Sequence, residues 1–206
     1  MKAVKWILIS VVALLLAAVV STFFMSENFR ASQTQVIKAS PEAVFNQINT
    51  LQNWKNWSYW QGLDDKMSIT YNDIPTGEGA SYSWKSEKKE LGNGTLTITR
   101  SQPSGYLQCN LLFEGYGNSS SEYILKAVEG GTELTSAMNT ETKGIFNKLM
   151  TRIMMKPMMV KAFKASADKM ETYLQANPNA TNTTKIIDSV SVKAVTPKDC
   201  TAVVNK

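Results

Sequence analysis

Six short segments between Met67 and Glu141 alternate apolar with polar side chains, and each ends in a cluster of turn formers. "MSITYNDI", "GASYSWKS", "GTLTITRS", "YLQCNLLFEG", "SSSEYILKAV" and "GTELTSAMNTE" are separated by "PTGEG", "LGNG", "QPSG", "GYGN" and "VEGG". A period of two over runs this short marks strands with one face in a core and the other in water. Connections this brief join neighbours, so the spacing predicts an antiparallel meander. Leu107, Cys109, Leu111 and Phe113 fall on one inner face, as do Tyr82 with Trp84, Met67 with Ile69 and Tyr71, and Tyr123 with Leu125 and Ala127.

From Lys143 to Ala176 the period becomes helical. Leu149, Ile153, Val160, Phe163, Ala167, Met170 and Leu174 recur at helical steps, with Lys156 in the one missing slot. The pattern predicts one long amphipathic helix. Pro157 should kink it, because proline has no N–H to bond back to residue 153. Around that proline, "LMTRIMMKPMMVKAF" carries Met150, Met154, Met155, Met158 and Met159, enough to cover more than one face. Methionine is flexible and polarizable. Core filler, an adaptable ligand wall and a membrane-touching face all remain open readings, and a kinked helix could act as a portal.

Ahead of the meander, "ASQTQVIKAS" reads as a strand on Val36, Ile37 and Ala39. "SPEAVFNQIN" then starts a helix, with Ser40 as N-cap, Pro41 at the first helical position and Glu42 complementing the dipole. "LQNWKNWSYW" predicts a second short helix with Trp54 and Trp57 on one face.

The N-terminal segment is uninterruptedly apolar or small from Trp6 to Met25, and those 20 residues match the roughly 20 that a helix needs to cross a bilayer. A cleaved signal has a shorter apolar region, about 7 to 15 residues, so an uncleaved anchor is expected. Lys2 and Lys5 precede the span, whereas Glu27 and Arg30 cancel after it. The expectation is a single-pass protein with a cytoplasmic N-terminus and the domain outside, on the periplasmic side in a bacterium. No cysteine directly follows the span, so a lipoprotein-type anchor is not expected.

The net charge of +5 is concentrated in residues 143–169, where Lys143, Lys148, Arg152, Lys156, Lys161, Lys164 and Lys169 face Asp168 alone. A basic helix suits anionic lipid, although a solvated face explains it too. The chain has no histidine, which removes Ser-His and Cys-His nucleophilic pairs and histidine metal sites. Cys109 and Cys200 form no CxxC pattern, and Cys109 reads as a buried free thiol. No metal or cofactor is expected. Nucleic acid is not an expected partner either, because no binding motif accompanies the charge.

Residues 31–176 resemble the SRPBCC superfamily, which includes START lipid-transfer domains and polyketide cyclase/dehydratase-like proteins. The matching stretches are "IKASPEAVFNQINTLQNWKNWS", "GEGASYSW", "GNGTLTITRSQPSGYLQCNLLFEG" and "GGTELTSAMNTE". The resemblance implies an α+β helix-grip fold. In it a curved, antiparallel seven-stranded sheet wraps a long C-terminal helix, with two short helices after the first strand and an apolar cavity between sheet and helix. Residues 1–28 are then the cytoplasmic N-terminus and anchor, and 29–177 the helix-grip domain. Residues 178–206 are a linker and strand-like tail, which resembles the first strand of an effector-binding domain related to gyrase-inhibitory proteins.

The inward alternation and the methionine stretch nominate cavity residues: Trp54, Trp57, Tyr71, Tyr82, Trp84, Cys109, Leu111, Phe113, Tyr123, Met150, Met154, Met158 and Phe163. The expected guest is a hydrophobic small molecule or lipid, held without catalysis. An enzyme of the cyclase/dehydratase type would have to use Tyr71, Tyr82, Tyr123 or Glu114, although Glu114, like Glu122, Asp64 and Asp65, reads as solvated. A sensor or interaction module working through the tail is a third reading.

Overall fold

The computed structural model describes residues 2–115 and 117–178. Its first element, α1, runs Lys2–Phe23, and within it Ala3–Ser21 are long and apolar enough to cross a membrane, at a mean hydropathy of 2.6. The domain follows as β1 (Asn28–Ile37), α2 (Pro41–Asn49), a 3-10 turn (Leu51–Asn56) and six strands. These are β2 (Ser68–Tyr71), β3 (Ser81–Lys85), β4 (Asn93–Gln102), β5 (Tyr106–Phe113), β6 (Gly117–Val128) and β7 (Gly131–Glu141). Then come α3 (Ile145–Met150), a π-turn (Thr151–Met155) and α4 (Lys156–Ala176). The strand-like tail and Cys200 lie outside the described residues.

All seven strands form one antiparallel sheet in the order β1-β7-β6-β5-β4-β3-β2. The meander of β2 to β7 is the predicted one, and β1 closes it by pairing with β7 from Asn28 opposite Glu141 to Ile37 opposite Thr132. A register shift between Ile98 and Arg100 bulges β4 against β5, a device that increases local twist and bends the sheet. This is the helix-grip architecture. Ser40 caps α2 as expected, its Oγ accepting from the Ala43 amide at 3.2 Å, with Pro41 in the first turn.

The sheet's concave face meets α4 through Met159, Ala162, Phe163, Ser166, Ala167, Met170 and Leu174. The small residues Ala162, Ser166 and Ala167 let the helix approach closely. Ser166 Oγ accepts the Tyr59 amide at 3.0 Å, and Gln35 donates to Asp168 at 2.6 Å, so both flanks of α4 are tied to the rest of the domain.

Several expectations need correction. The strand before α2 begins at Asn28, and its inner residues are Phe29, Ala31 and Ile37, leaving Val36 exposed. Adjacent Val36 and Ile37 cannot both face inward in a period of two, and the pairing with β7 decides for Ile37. Ala127 also faces water, near the end of β6. The long C-terminal helix runs as expected, from α3 through α4, but its irregularity is a π-turn ahead of Pro157, in which the Lys156 amide bonds five residues back to the Thr151 carbonyl. Pro157 then sits in the first turn of α4, where its missing donor costs little.

Candidate functional site

The core is divided. One cluster joins α2, the 3-10 turn and most of the sheet to Ala167, Met170 and Leu174, while a second gathers Phe29, Ala31, Met138, Met159 and Phe163. Between them lies a cavity of about 180 Å³, whose wall draws Trp54, Tyr82 and Tyr123 from the first cluster and Met138, Met159 and Phe163 from the second.

Aromatic contacts shape one end. Trp54 lies 4.9 Å from Trp57, 6.1 Å from Tyr82 and 5.8 Å from Tyr123 between ring centroids, and Trp84 lies 5.4 Å from Phe113. Edge and tilted packing of this kind suits the ring quadrupoles. Each indole is also fixed by its N–H. Trp54 donates to the Ile48 carbonyl at 3.0 Å, Trp57 to that of Gln47 at 3.1 Å and Trp84 to that of Leu91 at 3.1 Å.

Of the nominated residues, the structure brings Trp54, Tyr82, Trp84, Leu111, Phe113, Tyr123, Met158 and Phe163 together on the wall. Trp57, Tyr71 and Cys109 are not on it. Trp57 is buried against Trp54, Tyr71 packs 5.8 Å from Tyr82 at the sheet's edge, and Cys109 is fully buried in the larger cluster. Met150 and Met154 are absent from the wall too, and Met155 and Met159 take their place beside Met158. The π-turn adds a residue to one turn, so the inward face advances by one position relative to a plain helix.

Sequence reading also missed Gln61 and Ser121, which line the wall together with Ser58 and Glu90. No protein group meets the buried Gln61 Nε2 and Oε1 or Ser121 Oγ in good hydrogen-bond geometry, although Ser121 Oγ lies near the Cys109 thiol and the Tyr123 hydroxyl. Burial pushes the Tyr82 hydroxyl far above its ordinary value, opposed by the nearby Gln61 amide, which stands outside good hydrogen-bond geometry. Tyr123 is raised for the same reason, and both hydroxyls stay neutral donors at any physiological pH.

One carboxylate, the exposed Glu90, lines the cavity; those weighed from the sequence stand elsewhere. Glu114 is exposed and accepts from Asn93 at 3.1 Å, while Glu122 pairs with Arg30 at 3.1 Å. Asp64, expected in a solvated loop, is buried and organises two loops. The Ser86 hydroxyl at 2.6 Å and the Lys66 amide at 3.0 Å hold its carboxyl below the usual range. No group of three or more metal-ligating side chains occurs among the described residues.

Burial pushes the Cys109 thiol up to about 12. In a Cys200→Ser background it should resist alkylation at pH 8 until the protein unfolds, as mass spectrometry would show. Cys109, Tyr82 and Tyr123 all favour their neutral forms when folded, so the stability they contribute is full below the unfolded values. It is lost as pH rises from about 8.5 for the thiol and about 10 for the phenols toward the folded values. The denaturation midpoint should therefore hold to about pH 8 and fall progressively above about pH 9.

Residues 28–175 match the family described as "Polyketide cyclase / dehydrase and lipid transport". The chain belongs to that family. No curated protein matches the sequence. Solved structures share the fold of this polyketide cyclase/dehydrase and lipid transport domain at low identity. A Staphylococcus aureus protein of unknown function is 14% identical with a TM-score of 0.59, covering 75% of this chain and 98% of its own. A Staphylococcus epidermidis protein is 13% identical with a TM-score of 0.54, over 74% and 92% of the two chains. A Rhodobacter sphaeroides protein is 18% identical with a TM-score of 0.52, over 71% and 93%.

Proposed function

We propose that this domain binds a small, largely apolar molecule with one uncharged polar end, and that α1 anchors it to a membrane. The observation that carries the reading is the cavity of about 180 Å³, walled by aromatic and methionine side chains with the unpartnered Gln61 amide and Ser121 hydroxyl inside. A cavity of about 150 Å³ holds benzene, so this one suits a guest of about six to eight carbons. Burying that many carbons contributes about 5–6 kcal/mol before costs, equivalent to a Kd near ~100 µM. A longer chain, such as a lipid acyl group, needs Met155, Met158 and Met159 to repack, which their flexible side chains favour.

Filling the cavity tests the reading. Leu111→Phe is expected to weaken binding of phenol by ~10-fold or more while leaving the melting temperature close to wild type, measured by calorimetry on the full chain. Unchanged affinity would place any binding elsewhere.

For the cyclase/dehydratase alternative, Tyr82 and Tyr123 are the nominated candidates on the wall, and as neutral hydroxyls they could orient a carbonyl but not remove a proton; Glu90 is a carboxylate that also lines the cavity. The anchor reading draws support from the exposed apolar length of α1, and Lys2 and Lys5 ahead of it support a cytoplasmic N-terminus.

A further inference from the structure

Some of the domain's largest apolar side chains lie in the open along one short stretch. Ile145, Phe146, Ile153, Met154 and Met158 are exposed on α3, the π-turn and the first turn of α4, with Phe146 at 72% and Ile153 at 62%. All five fall within residues 145–158, turned away from the buried Thr151 and Met159 of the same segment. Exposed Lys143, Lys156 and Lys161 accompany them. A contiguous apolar face of this kind, rimmed by cations, marks an interaction surface.

The contacts of this segment say what it meets. Arg152 Nη2 donates to the Ser26 carbonyl at 2.7 Å, and Lys148 Nζ lies 3.5 Å from Glu27 Oε1. Those two residues directly follow Met25, where the apolar run of the N-terminal helix stops. Residues of α3 also touch α1. Wherever α1 leaves a bilayer, the stripe therefore lies at headgroup depth. A second copy fits the surface poorly, because two-fold pairing would bring Lys156 and Lys161 of each chain against one another.

We propose that this face docks into the bilayer that α1 crosses, with Phe146, Ile153, Met154 and Met158 entering the acyl boundary and Lys143, Lys156 and Lys161 meeting anionic headgroups. The proposal rests on the anchor reading and holds whether or not the cavity is ever filled. It has a consequence for the cavity, because Met158 lies in the docking face and also lines the cavity beside Met155 and Met159. The most adaptable part of the wall thus lies against lipid, and an apolar guest could pass between bilayer and cavity without crossing water.

The test uses the full chain with Cys200→Ser, reconstituted into vesicles of phosphatidylcholine and phosphatidylglycerol. An environment-sensitive dye is attached in turn to Val12→Cys, Phe146→Cys, Ile153→Cys and Glu129→Cys. Glu129 sits on the β6–β7 turn, at the opposite end of β1 and β7 from Asn28 and so about 30 Å away. Lipid-borne nitroxide should quench the dye at 12, 146 and 153 and leave 129 bright. Quenching at 12 with 146 and 153 as bright as 129 would overturn the docking, and concentration-dependent self-quenching at 153 would assign the face to a second copy. A bright dye at 12 would remove the anchor and the docking with it. A guest that binds in detergent would survive either failure, which keeps the cavity reading separate.

Discussion

Trp54→Ala is expected to cost about 3–5 kcal/mol and to leave the domain barely folded. Trp54 is 5% exposed and touches the rings of Trp57, Tyr82 and Tyr123, so its removal opens a void that those rings, themselves pinned by neighbours, cannot collapse into. The Ile48 carbonyl also loses its indole donor in a buried place. Trp54→Phe separates the two contributions, because it keeps most of the aromatic area and loses the donor, at about 1–3 kcal/mol for the orphaned carbonyl together with a smaller packing loss. Urea titration of the full chain in detergent, followed by circular dichroism, measures both. A loss below about 1 kcal/mol for the alanine variant would mean that the aromatic end is loosely packed.

Gly131→Ala is the second large effect, and it acts through the backbone. A Cβ at position 131 would stand 2.1 Å from the Ile37 carbonyl oxygen and 3.1 Å from the Lys38 Cα. Those atoms have no rotamer to change, so β7 must shift away from β1 exactly where the last pair of their ladder, Ile37 with Thr132, closes. The expected loss is about 3 kcal/mol or more, at or above the upper end for overpacking. Gly115→Ala is the control, because it meets open space at a φ of +82° and pays only the left-handed backbone cost of about 1–2 kcal/mol. Equal losses in the two variants, read from the same urea titrations, would show that the clash at 131 is relieved.

The sheet was legible in the sequence because its information is local. β7 spans Gly131–Glu141, the very stretch that its alternation and flanking glycines marked out, and Leu107 with Cys109 and Tyr82 with Trp84 face the core as a period of two requires. The last helices were legible only in part. A π-turn depends on which carbonyl receives the Lys156 amide, a choice that residue type does not encode. One added residue per turn was enough to exchange Met150 and Met154 for Met155 and Met159 at the cavity. Gln61 and Asp64 escaped for a related reason. Both sit in the irregular stretch after the 3-10 turn, and their surroundings are set by residues distant in the chain, such as Ser86 for Asp64.

The division of the methionines also supplies the most direct test of the binding account. With the methionine methyls carbon-13 labelled, phenol is titrated into the full chain in detergent and the methyl resonances are followed by NMR. Saturable shifts are expected at Met67, Met138, Met155, Met158 and Met159, which line the cavity, and none at Met170, which is fully buried outside it. Resonances that stay fixed, or drift without saturating, would show that the hollow between the two core clusters takes no guest.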